Sequence, residues 1–157
     1  MPINASNIMN TPVISIEPDA PLIEAIKILE ENNISGLPVV DAENKVIGII
    51  TGKDIVEYSY TLHVIPLIGS SGWVSPYTDV SEIATAKEGF EQLASVKIKD
   101  VMTKKVIKVK ENTSVLEIAN LMKKKKINRI PVVDEEGKLS GIIARADLLN
   151  CLAERES

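Results

Sequence analysis

Two aspartates occupy one chemical position that the chain writes twice. Asp54 closes the phrase Gly48-Ile49-Ile50-Thr51-Gly52-Lys53-Asp54, and Asp147 closes Gly141-Ile142-Ile143-Ala144-Arg145-Ala146-Asp147, 93 positions later. In both, an apolar strand gives way to a predicted helix, and the carboxylate falls in the first helical turn. A carboxylate there complements the helix dipole. Its two oxygens can also accept both hydrogens of a vicinal diol, while the helix N-terminus and the Thr51 hydroxyl suit a phosphate. Other chemistries find little footing. Cys151 is the single cysteine and sits among Leu148, Leu149 and Leu152, so it reads as a small buried hydrophobe, with no disulfide and no metal-ligand spacing. His63 is the single histidine and has no Ser or Cys partner nearby in sequence. Phosphate-loop and zinc motifs are missing too, so the chain reads as a binder and not an enzyme, with no metal.

The elements that must position these aspartates repeat along with them. Residues 8–55 and 101–148 align without a gap, with 15 identities that include Met9/Met102, Pro38/Pro131, Asp41/Asp134 and Gly48/Gly141. Each copy opens with a β-branched run, Val13 to Ile16 or Val106 to Val109, that predicts a strand. A helix follows. Ser114 and Glu117 have capping-box spacing in one copy, and Pro21 marks the start in the other. Leu22, Ala25, Ile26 and Leu29, or Val115, Ile118, Ala119 and Met122, give it one apolar face. Leu37 to Asp41 is a short strand, Asn44 or Gly137 permits a tight turn, and Lys45 to Ile50 or Lys138 to Ile143 returns. A closing helix begins near Gly52 or Arg145. Each copy is thus a β-α-β-β-α repeat, and two α/β repeats packed sheet to sheet in a pseudo-twofold pair would bury the faces that neither covers alone.

The expected organisation is a first repeat at 1–60, an insertion at 61–97 and a second repeat at 98–157. Within the insertion the apolar spacing predicts a helix over 79–94, and Trp73, Tyr77 and Phe90 are expected to cover one end of the core, the alternative being a partner-facing or ligand-covering segment. Leu62 to Ile68 is apolar but too short to cross a membrane and broken by Pro66. The net charge of −4 offers no global attraction for nucleic acid or an anionic membrane. The run Lys123 to Lys126 reads as a solvated helix end that complements the dipole. The N-terminus has no basic start and apolar run of a signal peptide, so a cytoplasmic location is expected.

The doubled "h-P-V-V-D" (Leu37 to Asp41, Ile130 to Asp134), the "G-h-h-[ST]-x-x-D" phrases and the openings Met9-Asn10 and Met102-Thr103 resemble the tandem CBS-domain module, named for cystathionine β-synthase. The resemblance covers about two-thirds of the chain. It implies a pair of repeats that binds an adenosine-bearing ligand in the cleft between them. A first site would use Asp54 for ribose, Thr51 for ribose or phosphate, Lys53 for phosphate and Ile49 near the base, completed by Lys104 and Val109. A second would use Asp147 for ribose and Arg129 and Arg145 for phosphate. Asn128 and Ile142 would flank it, Thr11, Ile16, Ser35 and Gly36 would come from the other copy, and Ala144 stands where a hydroxyl is usual. The implied ligand is AMP, ADP, ATP or S-adenosylmethionine, and the implied role is regulatory, signalling to a partner protein from a homodimer. Apolar surface at Ile55-Val56 and at Leu148, Leu149 and Leu152 suits such a dimer. The alternative is a dimeric interaction scaffold with vestigial pockets.

Overall fold

The computed structural model of the chain describes residues 3–61 and 91–156. In chain order the elements are α1 (Ala5–Ile8), α2 (Leu22–Glu31), β1 (Gly36–Val40), β2 (Val46–Thr51) and α3 (Gly52–Thr61). A 3-10 turn (Ile98–Asp100) follows, then β3 (Val109–Lys110), α4 (Val115–Lys125), β4 (Arg129–Val133), β5 (Leu139–Ala144) and α5 (Arg145–Glu156). β1 and β2 form a two-stranded sheet, and β3-β4-β5 a three-stranded one in which β3 runs parallel to β4 and β5 antiparallel to it. The mixed α/β class is the one expected. Residues 91–95 are helical. The rest of the helix expected over 79–94 lies outside the described residues, as do His63, Leu62 to Ile68, Trp73, Tyr77 and Phe90.

The second repeat is β-α-β-β-α in full, but the opening strands are shorter than β-branching suggests. Of residues 106–110 only Val109 and Lys110 form a strand, opposite Val132 and Val133. Of residues 13–16 in the first repeat only Ile16 makes a bridge. Propensity makes a strand only where a neighbour supplies the ladder, and the flanking residues find none. The helices obey their apolar spacing. Leu22, Ala25 and Leu29 are buried in α2, and Ile118 and Met122 in α4. Ser114 Oγ accepts the Glu117 N–H at 3.2 Å at the start of α4.

The backbone repeats even where the side chains differ. The Asp41 carboxylate accepts the N–H groups of Glu43 and Lys45, and Asp134 accepts those of Glu136 and Lys138, so both hairpins are held by one device. Among the described residues, left-handed φ values occur at Asn33 (52°), Asn44 (64°), Lys126 (55°) and Gly137 (83°), two pairs each 93 positions apart. Asn44 and Gly137 are the expected hairpin residues. Lys126 ends α4 in a conformation that a lysine does not advertise.

The chain divides into two compact units that cut across the repeats. One takes Met1–Ser15, Pro38–Gly48 and Lys104–Ser157, the other Ile16–Leu37 and Ile49–Thr103. The reason is an exchange of lead-in segments. In the first unit Ala5 and Ser6 donate to the carbonyls of Thr113 and Glu111, while Asn10 and Ile142 exchange backbone hydrogen bonds. In the second, Ile98 and Lys99 donate to Ala20 and Pro18, while Thr103 and Ile49 make the matching exchange. Each lead-in therefore clips onto the helix start and return strand of the other copy. Ala5, Val109, Ile118, Met122, Ile130, Val132, Ile143 and Leu148 form the core of the first unit. Leu22, Leu37, Ile50, Ile55, Leu93 and Ile98 are buried in the second.

Candidate functional site

Strand β2 ends at Thr51 and α3 begins at once, so Asp54 occupies the third helical position with a half-buried carboxylate. Thr51 Oγ1 accepts the Asp54 N–H at 3.1 Å, and Asp54 Oδ2 accepts the Thr51 N–H at 3.0 Å. That is a reciprocal capping box, which satisfies donors that a helix start leaves unpaired. The Thr51 hydroxyl also donates to Oδ2 at 2.9 Å, so its proton is committed to the cap. The other oxygen is held from elsewhere. Thr103 Oγ1 lies 3.2 Å from Asp54 Oδ1 and 3.4 Å from Oδ2.

The second aspartate has the same frame with different furniture. Asp147 Oδ2 accepts the Ala144 N–H at 2.7 Å, the half of the box that needs no hydroxyl. Asn10 Nδ2 donates to the same Oδ2 at 2.8 Å and reaches the Ile142 carbonyl at 3.3 Å. Gly141 lets this lead-in approach. A methyl built on it would meet Met9 Sδ at 2.5 Å and Met9 Cβ at 2.9 Å.

Of the residues expected with Asp54, Ile49, Thr51 and Lys53 share its unit, whereas Lys104 and Val109 belong to the other. Ile49 is half-buried, Lys53 and Lys104 are exposed, and Val109 is buried in β3. Of the residues expected with Asp147, Thr11, Asn128, Arg129, Ile142, Ala144 and Arg145 share its unit, while Ile16, Ser35 and Gly36 belong to the other. Thr11 is exposed, Ile142 half-buried, and the Asn128 carbonyl accepts the Arg145 N–H at 2.8 Å. The Ser35 carbonyl does the same for Gly52 at 2.9 Å. Ile16 and Gly36 are buried. Half-buried Arg129 faces Ala144 across the β4–β5 ladder, and desolvation pulls its guanidinium below the ordinary arginine pKa. Asn10 and Thr103, the side chains that reach the carboxylates, were not among the expected site residues. They immediately precede Thr11 and Lys104 and close the repeated openings, which was the available signal.

Arg145 and Asn128 also line a groove of about 630 Å³ between α4 and α5, whose lining includes Lys123, Lys126, Leu149 and Leu152 but not Asp147. Leu149 and Leu152 are about 60% exposed, at 59% and 60%, whereas Leu148 and Ile55 are buried in their units. Cys151 is buried and free. Among the described residues no helix is long and apolar enough to cross a membrane, and no three His, Cys, Asp or Glu side chains cluster as metal ligands.

A family model described as the CBS domain matches residues 5–61 and again residues 98–154. The uncharacterized protein MJ1426 of Methanocaldococcus jannaschii is 37% identical over 150 residues, spanning 93% of this chain and 89% of that protein. The solved CBS domain pair of protein MJ0100, in complex with 5′-methylthioadenosine and S-adenosyl-L-methionine, aligns at a TM-score of 0.71 and 25% identity over 99% of each chain. CBSX2 from Arabidopsis thaliana, in complex with AMP, aligns at a TM-score of 0.73 and 20% identity over 98% of each chain, a likeness of fold.

Proposed function

The chain belongs to the CBS-domain family, and on that premise we propose that it is a regulatory module that binds an adenosine-containing ligand at its repeated aspartates and signals occupancy to a partner protein. The observation that carries this reading is the division of labour within each carboxylate. Capping uses Oδ2 of Asp54 and Oδ2 of Asp147; a second oxygen in the same place of both copies is not needed for the helix. A ribose diol is the group that would use it, and adenosine is the part shared by the ligands that the solved relatives hold. Thr51, Lys53 and Ile49 would serve the first aspartate, and Arg129, Asn128 and Ile142 the second.

A panel of AMP, ADP, ATP, S-adenosylmethionine and adenosine in a thermal-shift assay tests it. A ligand bound by the folded state alone stabilises by about 2.7 kcal/mol at a hundredfold excess over Kd, roughly 5–10 °C for a chain of this size. At least one member of the panel is expected to shift the melt. No shift with any of them would leave the scaffold reading, which the exposed leucines of the α4–α5 groove favour. In either case we propose that a second copy of the chain covers that groove.

A further inference from the structure

The two carboxylates are not equally open to a diol. A carboxylate has about four acceptor positions, two on each oxygen. At Asp147, Ala144 N–H and Asn10 Nδ2 both fall on Oδ2; among the described residues none donates to Oδ1, so both positions on that one oxygen are left without a donor there. At Asp54, Thr51 supplies two donors to Oδ2, and the Thr103 hydroxyl takes one position on Oδ1 at 3.2 Å. One position remains. A diol brings two hydrogens, so it enters the Asp147 site as it stands but must displace a proton donor at Asp54.

The cap is the worse candidate for displacement, because Thr51 N–H belongs to the helix start and its hydroxyl is locked between the Asp54 N–H and Oδ2. Thr103 Oγ1 is a single hydroxyl on an exposed side chain, free to rotate away. Its counterpart Asn10 is no obstacle, since its amide shares the oxygen the cap already uses. We propose that Thr103 is the residue that sets ribose specificity at the Asp54 site: its hydroxyl occupies the place of one ribose hydroxyl and makes this site indifferent to the 2′-hydroxyl, while the Asp147 site demands the full diol. The inference rests on the adenosine-binding reading and adds to it which residue decides between ribose and deoxyribose.

Calorimetry on the full chain with AMP and 2′-deoxy-AMP tests the assignment. Asp147→Ala isolates the Asp54 site, and Asp147→Asn, which keeps an acceptor for the Ala144 N–H, replaces it should the alanine variant unfold. In that background AMP and 2′-deoxy-AMP are expected to bind within about threefold of each other, because the deoxy ligand's single remaining hydroxyl suits the one open position. Adding Thr103→Val removes the competing hydroxyl with little change of shape. AMP should then tighten about tenfold, equivalent to about 1.4 kcal/mol, while 2′-deoxy-AMP stays put; Thr103→Ser should restore the original ratio. A ratio unmoved by Thr103→Val, or equal weakening of both ligands, overturns the role of Thr103 and leaves the adenosine reading intact. If neither nucleotide nor S-adenosylmethionine binds the unmutated chain, both readings fall.

Discussion

At Asp147 the carboxylate is already oriented by Ala144 and Asn10, at 2.7 and 2.8 Å, and among the described residues none donates to its other oxygen. A charged acceptor held in one rotamer loses less entropy on binding than one that must be reorganised. On the proposed reading Arg129, across the ladder from Ala144, would add a planar donor suited to phosphate. Asp147→Ala is therefore expected to weaken AMP binding at least tenfold, about 1.4 kcal/mol, and Asp54→Ala to cost less. Calorimetry on both variants checks it, with equal losses or a larger loss at Asp54 reversing the ranking. The aspartates themselves were legible from their phrases. The distant donors, Asn10 and Thr103, were legible only as the ends of the repeated openings, because a residue more than 40 positions away in sequence gives no local sign of where its side chain will point.

Among the elements, each lead-in clip ties segments within its own unit. Met9 and Asn10 lie along β5 because Gly141 has no side chain to refuse them. The flexible Met9 Sδ could swing from an added methyl, but Met9 Cβ at 2.9 Å moves only with its backbone. Gly141→Ala should therefore destabilise by about 1–3 kcal/mol, as overpacking does, lowering Tm by several degrees, and Met9→Ala in the same chain should recover only part of the loss. A Gly141→Ala melt equal to that of the unmutated chain would mean the clip yields at no cost. The hairpins and helix starts were readable beforehand, since Asn44, Gly137 and Pro21 act through their own backbones and Ser114 through a hydroxyl that meets an N–H three residues on. The shortened opening strands were not, because a ladder depends on a partner.

At the scale of the molecule, α5 presents exposed apolar surface among the described residues. Leu148 and Cys151 turn inward, while Leu149 and Leu152 stay about 60% exposed beside Lys123, Lys126 and Arg145. Exposed leucines grouped along one groove suit a twofold contact between copies. Sedimentation at tens of micromolar should give twice the 17.1 kDa of one chain, and Leu149→Glu with Leu152→Glu should return the single-chain mass while keeping the melt cooperative. A single-chain mass without mutation would remove the dimer. The sequence by itself determined the doubling, the α/β class, the turn residues and the two aspartates, because each is written in local periodicity or backbone preference and then written again. Only the tertiary structure decided that each copy lends its lead-in to the other, and that Thr103 reaches both oxygens of Asp54, nearer Oδ1, while Asn10 meets Oδ2 of Asp147. Those outcomes depend on hydrogen bonds between residues such as Asn10 and Asp147, 137 positions apart, where no neighbouring residue constrains the geometry and only the folded chain brings donor and acceptor together.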